Sequence, residues 1–179
     1  MRKSVWAVFV ILLALISCGK PQPAQPSTIV LLVRHAEKAS DAEDSPLTEA
    51  GTQRAQALVR VAESAGVSAI YSTQFRRNRD TARPLSDQLK LAVTELPIPD
   101  LQSPGDYGKT LARTLLEKHA GQTVLVVGHS NTIPLTLEAL TGQPAPADHA
   151  EYSDLYIVII PPSGKARYIK AQYGGGAAN

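Results

Sequence analysis

The spacing of apolar and polar positions changes several times along the chain. Residues 29–33 (IVLLV) are five apolar side chains in a row, the pattern of a strand covered on both faces. Arg34 and His35 end that run abruptly. From Thr48, a residue suited to capping a helix, Ala55, Leu58, Val59 and Ala62 recur at three- and four-residue spacing as far as Ala65-Gly66, which predicts a helix. VSAIY at 67–71 reads as a short second strand. Residues 76–89 read as a helix that Pro84 kinks or breaks, and 91–96 as a third strand. Residues 102–108 read as a loop, and 110–119 as an amphipathic helix closed by Ala120-Gly121. TVLVV at 123–127 is another strongly apolar strand, and it too stops at a polar cluster, Gly128-His129-Ser130-Asn131. Residues 133–140 are then helical. The segments 155–160 and 166–172 form a closing pair of strands around Pro161-Pro162-Ser163-Gly164. No internal repeat is present. Strands alternating with helices predict a layered α/β domain with a central, mostly parallel sheet flanked by helices.

The first 28 residues follow none of these periods. Met1-Arg2-Lys3-Ser4 is a basic start, residues 5–16 (VWAVFVILLALI) are 12 apolar side chains, and Ser17-Cys18-Gly19 follows. This is the organisation of a secretory signal, and 12 apolar residues are few for a membrane-spanning helix. LISC at 15–18 resembles the lipobox of bacterial lipoproteins, in which the cysteine is lipidated and becomes the new N-terminus. Ile16 departs from the small residue usual there, but Cys18 is the chain's single cysteine. An ordinary cleaved signal or an N-terminal membrane anchor is the alternative. Residues 20–28 (KPQPAQPST) contain three prolines and no large apolar side chain, as a tether does. The expected organisation is a lipoprotein signal peptide at 1–17, a Pro-rich tether at 18–28, a folded domain at 29–173 and a flexible tail at 174–179. The expected location is the extracytoplasmic cell envelope, with the membrane reached through a lipid at Cys18.

Charge then loses most of its meaning. The formal net charge is +2, and Arg2 and Lys3 supply it; without residues 1–17, 16 basic side chains face 16 acidic ones. Nothing in that balance supports nucleic-acid binding. With Cys18 lipidated, no thiol remains for a disulfide or a cysteine metal site, and no cluster has metal-ligand spacing. No metal and no cofactor are expected.

Two apolar strands each end in a histidine, as Val33-Arg34-His35 and Val127-Gly128-His129. Functional groups in open α/β sheets gather at the carboxyl ends of strands, so if the two strands are neighbours both imidazoles share one crevice. LVRHAEK at 32–38 resembles the defining motif of the histidine phosphatase superfamily, the phosphoglycerate mutase-like family. LTEAG at 47–51, IYSTQFRRNRDTA at 70–82 and VVGHSNT at 126–132 resemble its further blocks in the same order, so that the likeness runs from 29 to 140. The resemblance implies a phosphoglycerate mutase-like fold over the domain and a phosphatase in which His35 attacks phosphorus. A phosphohistidine forms and water hydrolyses it. Arg34 would hold the equatorial oxygens through its planar fork, and His129 would donate to the same oxygens. The second family arginine falls on Arg77, because Phe75 holds the place of the family's Leu. A dianionic phosphomonoester needs charge neutralisation and in-line positioning more than a strong base, and a neutral imidazole is a competent nucleophile. The substrate would be a phosphorylated small molecule or a phosphoprotein.

Several residues depart from the family pattern. Gln74 stands in place of Pro, Asn78 of Ala and Asp80 of Gln. The Glu that many relatives carry as general acid is missing, since Leu101-Gln102 is followed by Ser103. Asp100 and Asp106 are the nearby acids, with Asp106 the candidate catalytic residue; either could be a turn residue. Ser72 could cap the phosphate-facing turn, contact the leaving group or serve as a turn hydroxyl. Arg76, Arg79 and Arg83 read as solvated helix charges, Glu37 and Lys38 as a local pair or loop supports, and His119 and His149 as background. A phosphomutase is disfavoured by the short chain and the expected location. A non-catalytic phosphate- or envelope-binding module is the alternative from another class.

Overall fold

The structure, a computed structural model, describes residues 25–147 and 151–174. The expected signal peptide, Cys18, most of the tether, His149 and nearly all of the tail lie outside the described residues. In chain order the elements are β1 (Thr28–Arg34), α1 (Glu49–Glu63), β2 (Val67–Ser72), α2 (Arg76–Leu89), β3 (Val93–Glu95), α3 (Tyr107–Lys118), β4 (Thr123–Gly128), α4 (Thr132–Thr141), β5 (Asp154–Ile160) and β6 (Arg167–Gln172). The strands form one sheet in the order β3-β2-β4-β1-β5-β6. β3, β2, β4 and β1 run parallel, and β5 is antiparallel to both of its neighbours.

The unbroken apolar runs are explained by burial on both faces. Successive side chains of a strand point to opposite sides, so each run feeds two cores. Val30 and Leu32 of β1, with Val124 and Val126 of β4, pack with Leu111 and Leu115 of α3 and Ile133 and Leu137 of α4. Leu31, Val33, Leu125 and Val127 pack on the other face with Leu58 and Ala62 of α1 and Ala82 and Leu85 of α2. β1 and β4 are paired from Ile29↔Thr123 to Arg34↔Gly128, so the two strands end flush. The helix after β1 lies on one face and the helix after β4 on the other, which makes the β1–β4 boundary a topological switch point and opens a crevice beyond it.

Local chemistry sets most boundaries. Thr48 caps α1 by accepting from the Gly51 N–H at 3.0 Å. α2 runs through Pro84 without a break, although proline leaves the carbonyl four residues earlier without its helical partner. β3 is shorter than the predicted 91–96, because it is a half-exposed edge strand paired only with β2. α3 starts at Tyr107, inside the predicted loop 102–108, since buried Tyr107 anchors the first turn under the sheet.

Candidate active site

His35 and His129 are the first residues beyond the flush ends of β1 and β4. The ladder extends one step further, with the His35 N–H donating to Gly128 O at 2.9 Å. This brings the two imidazoles edge to face, with centroids 5.3 Å apart. Both are 3% exposed. The expected adjacency of the two strands therefore exists, and both histidines share the crevice.

The hydrogen bonds define what each ring can do. His35 Nδ1 lies 2.8 Å from Ala36 O. A carbonyl can only accept, so Nδ1 carries the proton and the neutral ring keeps its lone pair on Nε2. Burial, reinforced by the nearby Arg34, Arg77 and Lys38 charges, lowers the His35 pKa to about 4 against a raising contribution from the Ala36 hydrogen bond. Burial together with His35, Arg77 and Arg34 lowers that of His129 to about 2. Both rings are thus neutral at pH 7. His129 Nδ1 faces Arg77 Nη2 at 3.5 Å, and its Nε2 lies 2.9 Å from Thr73 Oγ1. A guanidinium only donates, so in this arrangement Nδ1 accepts and Nε2–H donates to the Thr73 hydroxyl.

Arg77 sits in the first turn of α2 and is 5% exposed. Its Nη1 donates to Glu43 O at 2.7 Å, its guanidinium lies 4.6 Å from the Phe75 ring centroid, and its buried Nε has no hydrogen-bond partner among the described residues. Arg34 is half-buried, with its guanidinium 3.9 Å from the centroid of the Tyr152 ring, which also stands 5.8 Å from His35. Two guanidinium groups and two neutral imidazoles are therefore gathered at the carboxyl end of the sheet. Such a set can clamp a tetrahedral dianion while leaving one ring nitrogen able to attack it.

Backbone and hydroxyl contacts hold these groups. Asn78 Nδ2 donates to Val127 O and to Gly128 O, tying α2 to the end of β4, and the His129 N–H donates to Thr132 Oγ1 at 2.8 Å. A Cβ on Gly128 would meet the Thr132 hydroxyl at 2.9 Å and the Ile133 side chain at 2.7 Å, so glycine permits this close turn. Thr81 Oγ1 accepts from the Ala36 N–H and donates to Arg77 O, joining the residue after His35 to the helix that carries Arg77.

A hollow of about 440 Å³ opens beside Arg77. Its walls come from residues 41–43 after β1, Gln74 and Phe75 at the start of α2, and residues 98–102 after β3. Asp100 lines it. Asp106 does not: it is fully exposed at the start of α3, 2.9 Å from Lys109 Nζ, which holds its carboxyl below the usual range. The structure thus separates Asp106 from the hollow, and of the two candidate acids only Asp100 borders it. The long loop that favoured Asp106 in the sequence folds back so that its Asp faces solvent.

Other expectations are corrected in detail. Of the two readings of Glu37 and Lys38, the structure lacks the pair and has the loop supports. Glu37 takes a bidentate contact from Arg54, whose Nη1 also donates to Tyr173 O and Gly174 O, and Lys38 pairs with Asp41. Arg76 and Arg83 are exposed beside Asp80, but Arg79 reaches Gln74 O and lies between Asp44 and Glu95. Ser72 donates to Thr73 O, and the neighbouring Thr73 is the hydroxyl that touches a histidine. Thr73 and Tyr152 were not among the sequence candidates. Thr73 sits beside the Ser in the IYST block and had a one-residue signal; Tyr152, in a loop remote from every block, had none. Among the described residues no group of three or more His, Cys, Asp or Glu could hold a metal ion.

Residues 30–98 match the family model of the histidine phosphatase superfamily, branch 1. No curated protein matches the sequence. Among solved structures, the fold is similar to the protein histidine phosphatase SixA complexed with tungstate, at 20% identity and a TM-score of 0.63, over 80% of this chain and 96% of that one. It is similar to YhfR of Bacillus stearothermophilus, at 20% identity and a TM-score of 0.60, over 84% and 98% of the two chains. A mycobacterial glucosyl-3-phosphoglycerate phosphatase in complex with inorganic phosphate is similar at 18% identity and a TM-score of 0.57, over 82% and 97%. The family model covers residues 30–98, which include the first histidine block, and these solved structures share the α/β fold; the chain is similar to the histidine phosphatase superfamily in that segment and in its fold.

Proposed function

We propose that the chain hydrolyses a phosphomonoester, or a phosphohistidine, through a covalent phosphohistidine on His35. Similarity to the superfamily supports phosphatase activity in general. The observation that carries the finer reading is the tautomer of His35: Nδ1–H is committed to Ala36 O, which leaves the Nε2 lone pair bare on a neutral ring that lies within the field of Arg34 and Arg77. In the first step Nε2 attacks phosphorus and the bond from phosphorus to the leaving group breaks; the leaving group takes a proton from solvent or from an acid bordering the hollow. In the second step water attacks phosphorus, the P–N bond breaks, and inorganic phosphate leaves with His35 restored. Arg34 and Arg77 neutralise the equatorial oxygens throughout.

His129 takes part through a proton rearrangement that Thr73 permits. A hydroxyl can accept from Nε2–H or donate to Nε2. When an oxyanion enters between Arg77 and His129, the ring can carry its proton on Nδ1, facing the oxyanion, while Thr73 donates to Nε2. SixA is a protein histidine phosphatase bound to tungstate, itself a tetrahedral oxyanion, and this likeness supports including phosphohistidine among the substrates.

The test is hydrolysis of an aryl phosphate by the full chain in detergent, beside His35→Ala, with rapid-quench trapping. Turnover is expected to fall by at least about 10⁴-fold in the variant. An acid-labile phosphoryl label is expected on the wild type alone. Absence of both turnover and label on several phosphate classes, phosphohistidine included, would instead favour a phosphate-binding module. The location is likewise a proposal, a lipid-anchored protein on the extracytoplasmic side of the envelope, and it rests on the sequence of residues 1–18. Growth with labelled palmitate should tag the wild type and not Cys18→Ser; equal labelling of both would sink it.

A further inference from the structure

We propose that the hollow beside Arg77 selects substrates whose non-phosphate part is neutral or cationic, with residues 98–102 as a fixed wall of that selection. The proposal rests on the phosphatase reading and adds the class of leaving group.

The wall is pinned. Gln74 pairs with Ile98 as one strand residue pairs with another: the Ile98 N–H donates to Gln74 Oε1 at 2.9 Å, and Gln74 Nε2 donates to Ile98 O at 2.9 Å. Asn131 Nδ2 donates to Leu101 O, and Asp100 Oδ1 accepts from the Gln102 N–H at 2.9 Å. Gln74 precedes α2, which carries Arg77, and Asn131 lies two residues beyond His129. The loop is therefore fixed by residues that neighbour Arg77 and His129 in the chain, and its side chains stand at a set position relative to them. Gln74 occupies the place where the family pattern has Pro, which has no side-chain amide to make this pair.

The charges on the two walls are unbalanced. Apart from Arg77, the ionisable residues lining the hollow are Lys38, Asp41, Glu43 and Asp100. Lys38 is engaged by Asp41 at 2.7 Å, while Glu43 and Asp100 form no ion pair among the described residues. At the inner end, buried Arg77 retains an Nε without an acceptor among the described residues, which marks that end for an anionic group. The hollow is thus cationic within and anionic at its rim. A substrate with phosphate at one end and a carboxylate or second phosphate at the other meets repulsion from Glu43 and Asp100. One with a hydroxyl or an ammonium there does not.

The experiment uses three phenyl phosphates substituted at the para position with aminomethyl, hydroxymethyl or carboxymethyl. The methylene insulates the phenol, so the leaving groups have similar basicity and differ in charge. The full chain in detergent is expected to show kcat/KM at least tenfold higher for the aminomethyl than for the carboxymethyl ester. In the double variant Glu43→Gln, Asp100→Asn that ratio should shrink below threefold. Both rates come from one preparation, so partial unfolding lowers them together and leaves the ratio unchanged. Equal rates in the wild type, a preference for the anionic ester, or an undiminished ratio in the double variant would overturn the proposal. If no ester is turned over and no phosphoenzyme forms, the phosphatase reading fails separately. Charge selection is then read from calorimetric binding of the same esters: tighter binding of the aminomethyl ester supports it, and equal binding overturns it.

Discussion

The two histidines share one environment yet are fixed by different kinds of partner. His35 faces a carbonyl, which admits a single neutral tautomer, whereas His129 faces a hydroxyl, which admits two. Under the proposed mechanism, that difference suits a nucleophile that must keep the same nitrogen bare and a partner that must adapt when an anion arrives. Thr73 is accordingly a positioning residue acting through His129. Thr73→Val keeps the shape and removes the hydroxyl, and kcat is expected to drop roughly tenfold to a hundredfold, less than the full loss of an oxyanion donor. Thr73→Ser should restore most of it. In a His129→Ala background the same Val substitution should cost little further, because both changes remove one interaction. A full additive loss there would show that Thr73 acts by another route. The residue scale was only partly legible in the sequence. Arg34, His35, Arg77 and His129 were found because strand ends and block spacing mark them. Thr73, Asn78 and Tyr152 act through contacts with segments far away in the chain, which spacing does not report.

At the scale of elements, the strands and helices that carry the site were readable because each satisfies a local rule. β1 and β4 are apolar on both faces, α1 has its Thr48 cap, and the apolar period of α1 matches its buried face. The glycine that closes the LTEAG block has a physical cause that only the fold reveals. A Cβ at Gly51 would stand 2.4 Å from Glu37 O, so the first turn of α1 lies directly on the loop that leaves His35. Thr48 N also donates to that same carbonyl, and Arg54, one turn further on, grips the Glu37 carboxylate. The β1-to-α1 connection is thus set by α1 through the backbone and the carboxylate of Glu37. What local rules missed were elements decided by tertiary contact. β3 shrinks at an exposed edge, α3 begins early because Tyr107 is buried, and Asp106 turns outward with the start of that helix. The same reasoning explains why Asp100 and Asp106 could not be separated from sequence: both lie in a Pro- and Gly-rich loop whose path is fixed by Gln74 and Asn131 from elsewhere.

For the whole molecule, the site carries a cost that pH exposes. Both histidines are buried neutral, with pKa values lowered from 6.5 to about 4 for His35 and about 2 for His129. An unfolded chain releases them to their ordinary value and so binds more protons than the folded one between pH 6.5 and about 4. Stability therefore rises with pH through this window and falls on acidification, by up to roughly 1.4 kcal/mol per pH unit for each histidine. Above about pH 7.5 both rings are neutral in either state and contribute no slope. The lowered carboxylate of Glu37 acts in the same direction, but its unfolded value of 4.5 confines it to more acid pH. Urea midpoints of the full chain at pH 7.5, 6.5 and 5.5 should thus fall in order, with close to two protons taken up on unfolding at pH 5.5. His129→Gln, which cannot titrate, should reduce that uptake by about one. A flat profile down to pH 5, or an unchanged uptake in the variant, would mean that the rings are not held as the structure has them. Because native His35 stays neutral well below pH 6, loss of activity between pH 6 and 5 should track loss of the fold rather than protonation of the nucleophile. The burial that keeps His35 neutral, and so ready to attack in the proposed mechanism, is then also what limits the acid stability of the domain.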